Sequence, residues 1–254
     1  MKKYILIILS FIFHYALTAQ DIFIEHGKIE FEKRVNVHHA LDDINKGRDG
    51  GFDWISAIKK QIPEWNTTYF DLIFDNDKTL YKPGREVSTP RGPDWFQDPA
   101  QSNVVFSNFK TQQSISQKSV YESVFLITDS LRKARWKITS DSREIAGFNC
   151  REATTIIMDS VFVVAFYTDQ ITISGGPESF NGLPGMILGL AIPRLHTTWF
   201  ATKVELVDPP PNDFTPPAKG KKATNADLIS KLEASFKDYW NKSFAQHTQW
   251  IIEL

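Results

Sequence analysis

The chain has 254 residues, 42% of them hydrophobic and 13% aromatic, with 29 Lys+Arg against 30 Asp+Glu and one cysteine. A formal charge of −1 supplies no field that would draw it to nucleic acid or to an anionic membrane surface. A charged fraction of 23% excludes wholesale disorder, and the lone Cys150 excludes a disulfide framework within the chain.

The opening residues read as an export signal. Lys2 and Lys3 precede Tyr4 to Phe13, a run dominated by Ile, Leu and Phe, and Ala16-Leu17-Thr18-Ala19 ends in a small residue suited to cleavage after Ala19. The run is too short to span a bilayer, and no later stretch is long enough. No cysteine follows the cleavage point, so the mature chain is expected to be soluble, periplasmic or extracellular, and not a lipoprotein.

Beyond the signal, period two dominates. In 27–38, Ile29, Phe31, Val35 and Val37 share one face, broken only by Lys33, while Glu30, Glu32, Arg34 and Asn36 share the other. A strand over 68–74 turns at Asp75-Asn76-Asp77 into a partner that Pro83 stops. Further strands are predicted over 104–109, 120–128, 134–138, 150–158, 161–167, 186–192 and 197–207. Strands of this length, separated by Asp, Asn, Ser and Gly turns, describe a mainly β, antiparallel sheet. Most are shorter than the nine to eleven or so residues of a membrane barrel strand. The expected form is a curved sheet, a half-barrel or bowl.

Two segments carry helical spacing. Within 52–62, Trp54, Ile55, Ile58 and Ile62 line one side before Pro63. Within 225–244, Leu228, Ile229, Leu232, Phe236, Tyr239, Trp240 and Phe244 form a stripe, with Thr224 and Asp227 set as a capping box. That stripe predicts a C-terminal helix packed on the sheet. Between sheet and helix, Asp208 to Lys222 holds five of the 13 prolines and reads as a stiff linker. The organisation expected is a signal at 1–19, a β-rich domain at 20–207, the linker at 208–222 and a helical extension at 223–254.

The sharpest local feature is Gly182-Leu183-Pro184-Gly185-Met186-Ile187-Leu188, two glycines around a proline feeding an apolar strand. This heptad resembles the signature of the GLPGLI family, exported β-rich proteins of Bacteroidota, with Met186 in place of the usual Leu. The likeness extends to Asn36-Val37-His38, to 67–83, to Trp136-Lys137-Ile138, to Ile145-Ala146-Gly147-Phe148, to Cys150-Arg151-Glu152-Ala153 and to Phe166-Tyr167-Thr168, roughly 20–207 in all. The family is largely uncharacterised, so the resemblance implies a fold and an exported setting and no activity. A remoter likeness is to the bowl-shaped N-terminal domain of type II peptide-N-glycosidases, an accessory module.

Catalytic motifs are absent: there is no G-x-S-x-G, no H-E-x-x-H and no finger spacing of Cys and His. Cys150, mid-strand, reads as a buried small hydrophobe. Of the six histidines, His38 closes a predicted strand near Asp42 and Asp43 and His196 opens another, so a divalent transition metal held by His38 and His196 is one candidate site. Trp95 and Phe96, inside the polar loop 81–101, are the candidate aromatic contacts for a ligand. Gly182, Leu183, Pro184 and Gly185 would shape the same site. Asp129-Ser130-Leu131 and Asp159-Ser160-Val161 resemble acceptors of O-glycosylation and also read as hairpin turns.

The function expected is binding: an exported, non-enzymatic envelope accessory protein holding an apolar molecule, a peptide or a glycan on the concave face. The alternatives are a metal-binding protein or metal-dependent hydrolase using His38 and His196, and a structural protein whose sheet edge docks to an outer-membrane partner.

Overall fold

A computed structural model describes residues 23–45, 54–86, 98–120, 122–237 and 242–254. The export signal and the Trp95-Phe96 pair lie outside the described residues. Among those described, twelve strands form one sheet: β1 (His26–Asn36), β2 (Trp65–Asp75), β3 (Lys78–Pro83), β4 (Val104–Asn108), β5 (Gln113–Val120), β6 (Ser123–Ser130), β7 (Lys137–Ile145), β8 (Phe148–Ile157), β9 (Val161–Thr168), β10 (Met186–Ile192), β11 (Thr197–Glu205) and β12 (Lys221–Ala223). Their order across the sheet is β12-β6-β5-β4-β3-β2-β1-β11-β10-β9-β8-β7, so the sheet is open, not a closed barrel. All neighbours are antiparallel except β12, which runs parallel to β6. The expected mainly β, antiparallel class is thus the one observed.

One face of the sheet is covered. Ile29 and Phe31 of β1, Phe70, Leu72 and Phe74 of β2, Trp199 of β11 and Leu190 of β10 are fully buried on it. The segment 171–185 folds across this face, contributing Ile171, Ile173, Phe180 and Leu183 to the same core. Four helices among the described residues complete the cover: α1 (Val37–Asn45), α2 (Trp54–Lys59), α3 (Asn225–Phe236) and α4 (Lys242–Glu253). Helices α3 and α4 bury Leu228, Leu232, Phe236, Ala245 and Ile252 against Val120, Phe125 and Ile127 of β5 and β6. Val37 and Leu41 of α1 pack on Ile55 of α2.

Three departures from the sequence reading have physical causes. The first strand ends at Asn36, and Val37 to Asn45 is a helix, because the Asn36 side chain accepts the His39 N–H at 2.9 Å and caps it. His38 and His39 therefore sit on a helix rather than at a strand end. Strand β5 has no alternation to betray it, since its buried positions include Ser116 and Lys118. The expected single helix over 225–244 is two, with α4 running to Glu253.

The glycine-proline corner is built as its residues dictate. Gly185 has φ 140°, and a Cβ there would stand 2.1 Å from the Thr168 carbonyl oxygen, so only glycine fits. Leu183 is buried, the Gly182 N–H donates to Ser174 Oγ at 2.9 Å, and Trp136 Nε1 donates to the neighbouring Asn181 carbonyl at 2.8 Å.

Candidate functional site

The covered face carries a buried charged centre. Lys33, the one polar residue on the apolar side of β1, is 2% exposed. In the cross-strand register it lies between Thr68 of β2 and Trp199 of β11, so the pleat forces its side chain onto the covered face. Its ammonium meets Asp98 Oδ2 at 2.5 Å and Glu178 Oε1 at 3.9 Å, and stands 5.0 Å from the Trp199 ring and 5.8 Å from that of Phe70. An ammonium this desolvated needs its carboxylates, because an unpaired buried charge costs several kcal/mol or more.

Glu178 is equally buried and belongs to the segment that crosses the sheet. Its backbone sits at φ 54°, left-handed space that a non-glycine residue occupies only when its surroundings hold it there. Asn103 Nδ2 donates to Glu178 Oε2 at 3.0 Å, and Tyr81 Oη makes a longer contact to Oε1 at 3.5 Å. Burial raises the Glu178 carboxyl above its ordinary value, Asp98 adds to the rise, and Lys33, Asn103 and Lys118 oppose it. Burial also lifts Tyr81 well above the phenol range, helped by Glu178 and opposed by Trp199. Tyr81 stacks on Phe70 at 4.8 Å between centroids. The Trp199 indole N–H is buried beside this group and is directed toward Tyr81.

A second group lies under the last turn of α4. Lys118 of β5 donates to the Ile252 carbonyl at 2.8 Å, and burial pulls its pKa down to about 8, with Arg132 adding to the fall. Arg132 gives Nε to Ser179 Oγ at 2.9 Å and Nη2 to the carbonyls of Glu253 and Leu254, the latter at 3.2 Å. Ser179 Oγ donates to Leu254 as well. Glu178 and Ser179, adjacent in the chain, join the two groups.

The residues singled out from sequence fall around this centre rather than on it. His38 Nε2 donates to the Ile62 carbonyl at 3.2 Å, whereas His196 pairs with Asp43 at 2.8 Å and stacks on His39 at 5.4 Å, so His38 and His196 do not converge. Among the described residues no group of three or more His, Cys, Asp or Glu side chains is placed to hold a metal ion. Gly182, Leu183, Pro184 and Gly185 end the segment that begins its crossing near Ile171 and carries Glu178. Cys150 is buried, and desolvation pushes its thiol up to about 12, which leaves no thiolate at neutral pH. The sequence did hold a sign of the centre: Lys33 breaks an otherwise apolar face. Lys118, Asp98 and Glu178 had no such sign, because their burial depends on contacts distant in the chain.

Compared with known proteins, residues 157–189 match the family model described as "Protein of unknown function (Porph_ging)". That stretch runs from the end of β8 to Gly189 and contains Glu178 and the glycine-proline corner. No curated protein matches the chain. Two solved structures of PNGF-II, in the P21 and C2 space groups, share the fold with a TM-score of 0.50 each, at 17% and 16% identity over 86% of this chain. The chain spans 34% and 33% of those two chains, about a third of their length, and the likeness is one of fold alone. Residues 157–189 thus match the model of the GLPGLI-type family found in Bacteroidota, a family of unknown function.

Proposed function

We propose that the chain is an exported envelope accessory protein that acts by binding, and that its ligand, a peptide or a glycan, is held at the Lys33–Asp98–Glu178 centre on the covered face. The observation that carries this reading is Glu178: fully buried, held in a left-handed conformation, and placed within the segment matched to the family. Opposed charges that neutralise one another across Lys33 suit recognition of polar groups more than bond cleavage. An apolar molecule fits less well, because the apolar part of this face is filled by the chain's own core.

Trp95 and Phe96, which precede Asp98 in the chain by three and two residues, keep their proposed role as ligand contacts. The glycine-proline corner would shape the site by fixing the segment that carries Glu178. Among the described residues a metal reading rests on the His196–Asp43 pair, two ligands where a protein site ordinarily has at least three. The test is to express residues 20–254 with export and record native and denatured mass spectra. The binding reading expects extra mass that disappears on denaturation, of a size matching a glycan or peptide. A mass of tens of daltons would favour the metal, and equal masses across hosts and preparations would end the binding reading.

A further inference from the structure

Lys33, Asp98 and Glu178 are placed to react among themselves. Lys33 Nζ lies 2.5 Å from Asp98 Oδ2, nearer than the roughly 2.7–2.9 Å of an ordinary ammonium–carboxylate hydrogen bond. The lysine side chain is 2% exposed and that of the aspartate 12%, so little water competes for either group. Trp199 and Phe70 wall the ammonium at 5.0 Å and 5.8 Å. Such surroundings disfavour charge, and moving one proton from Lys33 to Asp98 turns the ion pair into a neutral amine beside a neutral carboxylic acid. Lys118, the other buried lysine among the described residues, meets the Ile252 carbonyl at 2.8 Å and has no carboxyl to react with.

The rest of the surroundings suits acyl transfer. Asp98 Oδ1 accepts the Ala100 N–H at 2.9 Å, a donor aimed at the oxygen where negative charge collects when an amine adds to Cγ. Glu178 Oε1 stands 3.9 Å from Nζ, while Oε2 is fixed by Asn103 at 3.0 Å. Burial lifts this carboxyl above its ordinary value, which suits a group that takes a proton and returns it. An ion pair alone is complete with Asp98. A second, fully buried carboxylate held at φ 54° only adds desolvation and backbone strain to it.

We infer that Lys33 and Asp98 condense into an intramolecular amide, an isopeptide crosslink between β1 and the turn at Pro99–Ser102, with Glu178 carrying the proton. Lys33 gives one proton to Asp98 Oδ2. Its neutral nitrogen then attacks Cγ, and the carbonyl electron pair moves onto Oδ1, against the Ala100 N–H. Glu178 takes the surplus proton from the nitrogen and passes it to Oδ2; the Cγ–Oδ2 bond breaks, water leaves, and Oδ1 regains its double bond. Nothing is oxidised or reduced, no co-reactant is consumed, and Glu178 ends as it began. Holding amine and acid in contact supplies an effective concentration of up to about 10⁵–10⁸ M, above that of water itself, so condensation prevails over hydrolysis. The crosslink closes the chain between residues 33 and 98 and constrains the unfolded state as a disulfide would, in a chain whose lone cysteine cannot form one. It goes beyond the binding reading and does not rest on it: once the bond forms, Glu178 is the charge of the three left for a ligand.

The test is the denatured mass of the exported chain, followed by tryptic mapping. Folded wild type should be one water lighter than its sequence, and digestion should yield a branched peptide of residues 29–34 joined to residues 92–110, uncut after Lys33. The branch is the decisive readout, because a cyclised Asp49-Gly50 would lose the same water elsewhere. Asp98→Ala should carry its full sequence mass. Glu178→Gln, which keeps the shape of the side chain, should slow crosslinking about 100-fold, followed as the branched fraction over time after refolding. Full sequence mass in folded wild type overturns the crosslink, a result that needs no variant to fold, and so does lost water without the branch. A branch that forms as fast in Glu178→Gln overturns the part assigned to Glu178. Native spectra report bound ligand and denatured spectra report the crosslink, so the failure of one reading is told from the failure of the other.

Discussion

At the scale of single residues, the account turns on Lys33. Replacing it by alanine leaves the buried Glu178 and the partly buried Asp98 without their cation, so Lys33→Ala should lower stability by about 3–5 kcal/mol, the usual cost of breaking a buried pair from one side. Lys33→Ala combined with Glu178→Gln and Asp98→Asn should recover much of the loss, because the stranded charges go with it. Denaturant midpoints measure both, and a single variant within 1 kcal/mol or so of wild type would show that the centre is solvated rather than buried. His247 gives a pH prediction of definite sign. Its folded pKa of about 4 lies below the roughly 6.5 of an unfolded histidine, so between those values the unfolded chain binds more protons. The favourable contribution is complete above about pH 6.5 and is lost as pH falls toward 4, by about 3 kcal/mol in total. His247→Leu should flatten that slope, and an unchanged slope would assign the acid sensitivity elsewhere. Residues of this kind were only partly legible from sequence. Lys33 was visible as a fault in a pattern, whereas His247 and Glu178 look like surface residues until the fold covers them.

At the scale of elements, local chemistry was readable wherever it was self-contained. The Thr224–Asp227 capping box forms with both reciprocal hydrogen bonds, 3.1 Å to the Asp227 N–H and 2.9 Å from the Thr224 N–H. Thr224→Ala should cost about 1 kcal/mol, seen as a matching shift in the unfolding midpoint. The Asp75-Asn76-Asp77 hairpin turn and the corner at Gly185 were legible for the same reason, since turn residues state their own backbone angles. Gly185→Ala should be far worse than a cap deletion, because both φ and the Thr168 carbonyl forbid a side chain. Soluble, folded Gly185→Ala at wild-type yield would contradict the corner's geometry. Asp159-Ser160 lies in the β8–β9 hairpin turn, as one of the two sequence alternatives had it, whereas Asp129-Ser130 is strand, paired with Ser114 and Gln113 of β5, and makes no hairpin turn. Elements whose pattern depends on a neighbour were hidden. Strand β7 is exposed along most of its length as an edge strand, and β5 turns polar groups toward α4, so neither alternates.

At the scale of the whole molecule, composition and strand spacing pointed to one open antiparallel sheet, and the sheet is open. Its outer strand β7 carries Lys137, Asp141, Arg143 and Glu144 and a register shift between Ile138 and Ser142, devices that discourage a further strand from adding. At the other end β12 is three residues long. Docking through an edge therefore has little in the structure to favour it. The C-terminal helices cover part of the sheet as expected; what sequence could not foresee is that 171–185 also fills the face expected to form a bowl. Filling depends on long-range packing, and no local pattern encodes it. The consequence is that any ligand must meet a charged centre already roofed by helix.

The most direct test of this account compares one quantity in two proteins: the fraction of chain carrying non-covalent mass in native spectra of wild type and of Glu178→Gln, each exported and purified alike. The substitution keeps the shape of the side chain and the Asn103 contact while removing the charge, so the fold should persist. The account predicts a ligand-bound population in wild type that falls at least tenfold in the variant. Equal bound fractions in the two, or a ligand that is bound as well without the Glu178 charge, would contradict it.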